Sequence, residues 1–338
     1  MKTTAAFGEG FRRVCRAPAI LAGVLVLTFL VTLPLGMTLQ GMLSSHLGAS
    51  LAAQTAASGV NYDWWQEFSA QAQGVGTSFS PTIIGFGAVL GNLSAMLDNR
   101  GQPVVIASVG VVYVIIWIFL AGGILDRYAR NRPIRANGFF GRCGVFFFRF
   151  LRLAAFALLI YWLLYAYVHA WLFGSVYPWL IRDFTVERSA FAVRVLLYAV
   201  FGLLLLACNA LFDYAKIRAV VEDRRSMIGA LLSAARFIAR QPGKVASLYL
   251  LNGLLFLLVI LGYAFVAPGA GGFGWSLWIG LLITEIYLLA RLWVKLLFYA
   301  SQTAFFQGTM AHAEYVAEPQ PVWPESPAAE AIGGPPPA

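Results

Sequence analysis

Charge, histidine and cysteine are scarce in this chain, and each shortage removes a class of function. Charged residues are 12% of the 338, about half their share in soluble domains, so the chain cannot cover a soluble body of this size with polar surface. Three histidines, His46, His169 and His312, are scattered along the length. That excludes a histidine-rich metal centre, and no H-E-x-x-H, P-loop or G-x-S-x-G pattern occurs. The three cysteines, Cys15, Cys143 and Cys208, form neither a C-x-x-C pair nor a disulfide framework. No cofactor, no metal and no enzyme chemistry is therefore expected.

What the sequence does have is apolar length. Hydrophobic residues are 60% of the chain and the mean hydropathy is +0.74. A bilayer core needs about 20 apolar residues in helical form, because backbone polar groups find no water there. Six stretches qualify, at about 19–39, 104–125, 153–175, 190–212, 245–267 and 276–299. The expected fold is all-α: a polytopic integral membrane protein of six transmembrane helices in three hairpins. Residues 1–312 form the membrane domain, with a long extracytoplasmic loop at about 41–103. A shorter apolar run at 82–97 is read as an interfacial or re-entrant helix of that loop. The Pro/Ala-rich tail 313–338 is read as disordered and cytoplasmic.

Lys and Arg are missing between Arg16 and Arg100, so the first long loop faces outward. Arg127, Arg130, Arg132, Arg135, Arg142, Arg149 and Arg152 follow the second span, and Lys216, Arg218, Arg224, Arg225, Arg236, Arg240 and Lys244 follow the fourth. Both groups point inward, which puts the N-terminus and the C-terminus in the cytoplasm. The formal charge of +9 is then an orientation signal, and no nucleic acid is needed as a partner. The partners expected are the lipid bilayer, with anionic lipid headgroups or a membrane protein as further candidates.

Each odd-numbered span is preceded by a basic amphipathic stretch, expected to lie as an interfacial helix in the headgroup plane: Glu9, Arg13 and Arg16; Arg142, Arg149 and Arg152; and Ser226, Gly229, Ser233, Arg236 and Arg240. Pro18 and Pro242 suit the first turn of the span that follows. The chain thus reads either as three copies of one unit or as an ordinary six-span protein with basic inner loops.

The stretch from Asp213 to Leu251, DYAKIRAVVEDRRSMIGALLSAARFIARQPGKVASLYLL, resembles the cytoplasmic turn of a set of uncharacterised bacterial six-helix membrane proteins. It is also similar to the membrane domain attached to some glycerophosphodiester phosphodiesterases. The resemblance implies architecture and a bacterial inner membrane. It implies no activity, since the phosphodiesterase chemistry of that group lives in a separate soluble barrel.

Ionisable groups inside spans are the first place to seek function. Glu285 lies about 14 Å into the sixth span at 1.5 Å per residue. Arg194, His169, Arg291 and Asn252 fall at depths from which they could join it in an intramembrane polar cluster. Such a cluster would serve a small-solute or ion transporter, or simply glue helices together. In the outer loop, Asp63 and Glu67 are one turn apart and could act as an acid/base pair of a membrane enzyme, while Trp64 and Trp65 suit anchors at the headgroup level. Among these, the leading expectation is a non-enzymatic membrane component acting through lipid or protein contacts.

Overall fold

The computed structural model describes residues 1–48, 50–59, 61–80, 85–269, 274–310 and 315–317. It is all-α, and six of its helices are long and apolar enough to cross a membrane. The chain is thus a multi-pass membrane protein by its helices. The spans are α2 (Pro18–Leu47), α6 (Val104–Arg130), the continuous run Ala136–Ile181, α9 (Glu187–Val221), α11 (Pro242–Val266) and α12 (Trp275–Thr309). The third span runs through α7 (Ala136–Leu163), two π-helical turns at Leu164–His169 and Leu172–Val176, and α8 (Tyr177–Ile181). Short helices α3 (Ala52–Ser58), α4 (Tyr62–Gln71) and α5 (Phe86–Leu97) fill the loop between the first two spans. At 12 residues, α5 is about 18 Å long and too short to cross a bilayer. Residues 82–84 of the run read as interfacial lie outside the described residues.

Two amphipathic helices precede the first and fifth spans, α1 (Thr3–Cys15) and α10 (Met227–Arg240). Each stops just before a proline, Pro18 and Pro242, which opens the following span at a position where a missing N–H costs little. The expected third interfacial helix does not exist as a separate element. The stretch holding Arg142, Arg149 and Arg152 is continuous with its span, because no proline or glycine pair breaks the ladder where the chain turns into the bilayer.

The spans carry a polar, arginine-rich end, here the basic end, and an opposite end that bears α3 to α5. The core is concentrated at the basic end. Buried residues crowd into 117–129 of α6, 210–221 of α9 and 292–307 of α12, whereas α2 buries only Val24 and Thr28. Toward the loop end large apolar side chains such as Phe29, Met37, Phe191, Leu203 and Leu282 are exposed, as surface meeting lipid should be. The packing is therefore densest at the basic end, while toward the other end a smaller cluster of Leu172, Leu197 and Phe201 joins the third and fourth spans.

Three helix pairs make that dense packing. α6 packs on α7, α9 on α10, and α12 on α1. In the first pair Gly122 and Gly123 let the backbones approach. A Cβ on Gly123 would meet the Cys143 sulfur at 2.6 Å and the Phe139 carbonyl at 2.9 Å. In the second, Met227, Ala230, Ala234 and Phe237 form a helical stripe that buries Phe237 against Tyr214, Phe305 and Phe306. In the third, Ala6, Gly10, Arg13 and Val14 form the stripe, and a Cβ on Gly10 would lie 2.6 Å from the Ser301 backbone. Helix α1 is thus a member of the core and not a free helix on the membrane surface. The buried Arg13 guanidinium donates to the Tyr128 carbonyl and to Gln307 Oε1, both at 2.8 Å, and to Glu9 at 3.1 Å. Gln307 in turn donates to the carbonyls of Ala129 and Tyr315, both at 3.0 Å, and the Ala317 N–H reaches the Val221 carbonyl at 3.0 Å. Residues 315–317 of the tail read as disordered are therefore laid on the core, and the rest of that tail lies outside the described residues.

Replacing Gly10 by Val should separate α1 from α12. Overpacking of this kind costs about 1–3 kcal/mol, read as a fall in apparent melting temperature in detergent. Gly8→Ala, where the added carbon meets nothing within 4 Å, should leave the melting temperature near that of the wild type.

Candidate functional site

Between the spans lies a cavity of about 770 Å3, in the range of about 300–1,000 Å3 typical of ligand sites. Each wall is one helical stripe. Thr28, Thr32 and Leu35 come from α2; Ile106, Val109 and Tyr113 from α6; Asn209, Asp213 and Lys216 from α9; and Leu288, Arg291, Lys295 and Tyr299 from α12. Successive members are three or four residues apart, so each helix offers one face. A second space of about 260 Å3 between α6, α7 and α9 shares Tyr113, Asn209, Lys216, Lys295 and Tyr299 with the first. The two lysines stand in the waist between them.

The polar groups of this waist are organised around Asp213. Its carboxylate accepts from Lys216 Nζ at 2.6 Å, from the Tyr249 hydroxyl at 2.8 Å and from Asn209 Nδ2 at 3.2 Å. The Lys216 ammonium also lies 5.1 Å from the centre of the Tyr299 ring. Lys295 has no carboxylate within ion-pair distance among the described residues. Its ammonium instead sits 3.4 Å above the centre of the Trp117 ring, a cation–π contact that the ring's negative face makes favourable. Tyr113 approaches the same ammonium and shares a hydrogen bond of 3.2 Å with Thr28. Three cations, Lys216, Lys295 and Arg291, thus line the cavity against one carboxylate, Asp213. The site is cationic within apolar walls.

The intramembrane cluster expected around Glu285 is not assembled. Glu285 is half-buried and makes no hydrogen bond or ion pair among the described residues. Arg291 lies six residues farther along α12 and so roughly 120° round the helix, on the face that meets the cavity. Asn252, fully buried, donates to the Leu248 carbonyl at 2.9 Å and to Ser301 Oγ at 3.1 Å. Ser301 is about 24 Å beyond Glu285 along the same helix, so Asn252 fastens α11 to α12 far from that carboxyl. Arg194 and His169 have other partners again. His169 Nε2 donates to the Leu97 carbonyl at 2.8 Å, its ring held among Tyr165, Phe173 and Phe201. Arg194 lies 3.5 Å from the Asp98 carboxylate and donates to Tyr198 at 3.0 Å, and the Tyr198 hydroxyl donates to Asp98 in turn. Both residues dock the end of α5 onto the spans. The hydrogen bond from Tyr198 holds the Asp98 carboxyl below the usual carboxylate range against the cost of partial burial, helped by Ser94, Arg100 and Arg194. The π-helical turn ending at His169 adds a residue to the helix circuit and so re-aims this ring.

In the loop between the first two spans Asp63 and Glu67 both lie on the exposed face of α4. Trp64 turns the other way and is buried, donating to His46 Nδ1 at 3.0 Å and stacking on Phe68. Trp65 donates to the Phe79 carbonyl at 3.2 Å. These aromatics form the small core of the loop, and no third group completes an acid/base site around the two carboxylates among the described residues.

A comparison with protein-family models, with curated proteins and with solved structures gave no match. The polar stripe Asn209, Asp213, Lys216 at the end of the fourth span is the signal that sequence reasoning passed over. Its spacing of four and three is helical, but its lysine had a sufficient explanation as an orientation charge.

Removal of the Asp213 charge should be costly because it leaves Lys216 uncompensated in a half-closed space. Breaking a buried pair from one side costs about 3–5 kcal/mol, so Asp213→Asn should lower the apparent melting temperature strongly. Tyr249→Phe, which removes one hydrogen bond to the same carboxylate, should cost about 0.5–1.5 kcal/mol.

Proposed function

We propose that this is a non-enzymatic protein of the bacterial cytoplasmic membrane that acts through a lipid held in the cavity between its spans, with the basic end and both termini in the cytoplasm. The observation that carries this reading is the division of the cavity. Its upper walls on α2, α6 and α12 are apolar, with Leu35, Ile106, Val109 and Leu288, while its floor holds the cations and hydroxyls. An amphipathic molecule matches both parts, whereas a small hydrophilic solute would leave the walls dry and unmatched. A transporter working through Glu285 has less support, since that carboxyl has no partner among the described residues with which to exchange a proton or an ion. The arginine-rich turns support the orientation by the positive-inside rule. The resemblance of the turn from Asp213 to Leu251 to bacterial six-helix proteins supports the membrane assigned.

A cavity-filling substitution tests the lipid reading. Gly110 lines the cavity, and a Cβ there would meet nothing within 4 Å, so Gly110→Phe can enter the space without displacing the backbone. Spin-labelled phospholipid reconstituted with the wild type should show a motionally restricted, slowly exchanging component that Gly110→Phe removes. Identical spectra for the two would reject a lipid held in the cavity. The orientation has its own check, because Cys15 is exposed at the basic end. An impermeant maleimide applied to spheroplasts should label Ser69→Cys in α4 and reach Cys15 only after the membrane is opened; the reverse pattern would invert the topology.

A further inference from the structure

We infer that the occupant of the cavity is an anionic phospholipid whose phosphate is held between Lys295 and Arg291, a step that rests on reading the cavity as a lipid site. Charge balance selects the headgroup. Asp213 is fully engaged by Lys216, Tyr249 and Asn209, so it has little left to offer the other two cations. Among the described residues Lys295 makes no ion pair and rests against the Trp117 and Tyr113 rings, and Arg291 is exposed and lines the cavity, likewise without an ion pair among those residues. Two positive charges in a low-dielectric space favour an anion over a zwitterion, whose own cation would be repelled.

Geometry selects a phosphate on a lipid. Arg291 and Lys295 are one helical turn apart, about 6 Å along the axis, a gap that one tetrahedral anion can bridge. The guanidinium offers a planar fork to two phosphate oxygens, and the ammonium offers a point charge to a third. Depth agrees with this placement. Lys295 lies about 30 Å along α12 from Trp275, and Lys216 about 27 Å along α9 from Tyr198 at the loop end. Both ammoniums therefore sit in the half of the bilayer nearer the basic end. A lipid of that leaflet would point its headgroup toward the lysines and run its chains up the apolar walls toward Leu35 and Ile106.

The experiment uses the full chain in nanodiscs containing equal amounts of phosphatidylglycerol and phosphatidylcholine, with the lipid retained after mild detergent extraction read by native mass spectrometry. The wild type should retain phosphatidylglycerol over phosphatidylcholine by about tenfold, and the double variant Lys295→Gln with Arg291→Gln should bring that ratio close to unity. Arg291→Gln alone, at an exposed position that packing does not depend on, should lose about a third to a half of the logarithmic preference. Lys295→Arg keeps the charge and should keep most of the selectivity, which separates lost charge from lost packing. Glu285→Gln, on another face of α12, should change nothing. Excess inorganic phosphate should leave the bound phosphatidylglycerol in place; its displacement would mean a site for a free anion and would overturn the lipid assignment. Unchanged selectivity in the double variant, or a wild-type preference for phosphatidylcholine, would overturn the anionic headgroup while leaving the lipid site standing. If Gly110→Phe retains as much lipid as the wild type, the underlying reading fails instead.

Discussion

The Arg13 guanidinium is the point at which distant parts of the chain are tied together. A buried charge costs several kcal/mol unless its donors are satisfied, and here they are satisfied by Glu9 in its own helix, by the Tyr128 carbonyl of α6 and by Gln307 of α12. Gln307 spends its own amide protons on Ala129 and Tyr315. The first helix, the second span and the last span are thereby held in one register. The Gly10 contact with Ser301 gives the same pair of helices their short separation. The pairing of α12 with α1 closes a ring begun by α6 with α7 and continued by α9 with α10, so that the beginning and the end of the membrane domain are neighbours. In each of these pairs the basic end of a long helix is covered by the amphipathic stretch of its partner.

Closure at one end has a consequence at the other. Three tight pairs pack the helices closely near their basic ends, and the space left between α2, α6, α9 and α12 beyond that level is what forms the cavity. Its floor is the last level at which polar side chains can reach one another before the packed core begins. Asp213 neutralises one lysine there, the face of Trp117 shelters the other, and the remaining positive charge is directed into the space. At the loop end, His169 and Arg194 serve a different purpose. They fasten α5 to the spans through Leu97 and Asp98, which fixes one end of an apolar helix too short to span.

Much of the fold was legible from the sequence. The six spans follow from hydropathy, and they differ from the observed helices mainly at their basic ends, where polar residues continue the helical ladder beyond the apolar run. The interfacial helices were legible as amphipathic periods, but their role was not. Arg13 has the spacing of a surface charge, and only the approach of α6 and α12 turns it into a buried one. The missing break before the third span was also open to reading, because Pro18 and Pro242 have no counterpart there. The candidate site was legible least. Glu285 drew attention as a charge deep in a span, yet depth along one helix says nothing about which face of a neighbour it meets.

The division has a physical cause. Transfer from water to lipid is a sum over residues of one continuous helix, so composition and period alone determine that this chain has six helices long and apolar enough to cross a membrane, and the distribution of Lys and Arg sets its two ends apart. A site is built from stripes on helices far apart in the sequence, and its chemistry depends on which stripes face one another. Those facings are decided by close packing: by Gly10 against Ser301, by Gly122 and Gly123 against α7, and by the Asn252 link to Ser301. Only the tertiary structure could therefore bring Asp213, Lys216 and Lys295 into one cavity and leave Glu285 outside it.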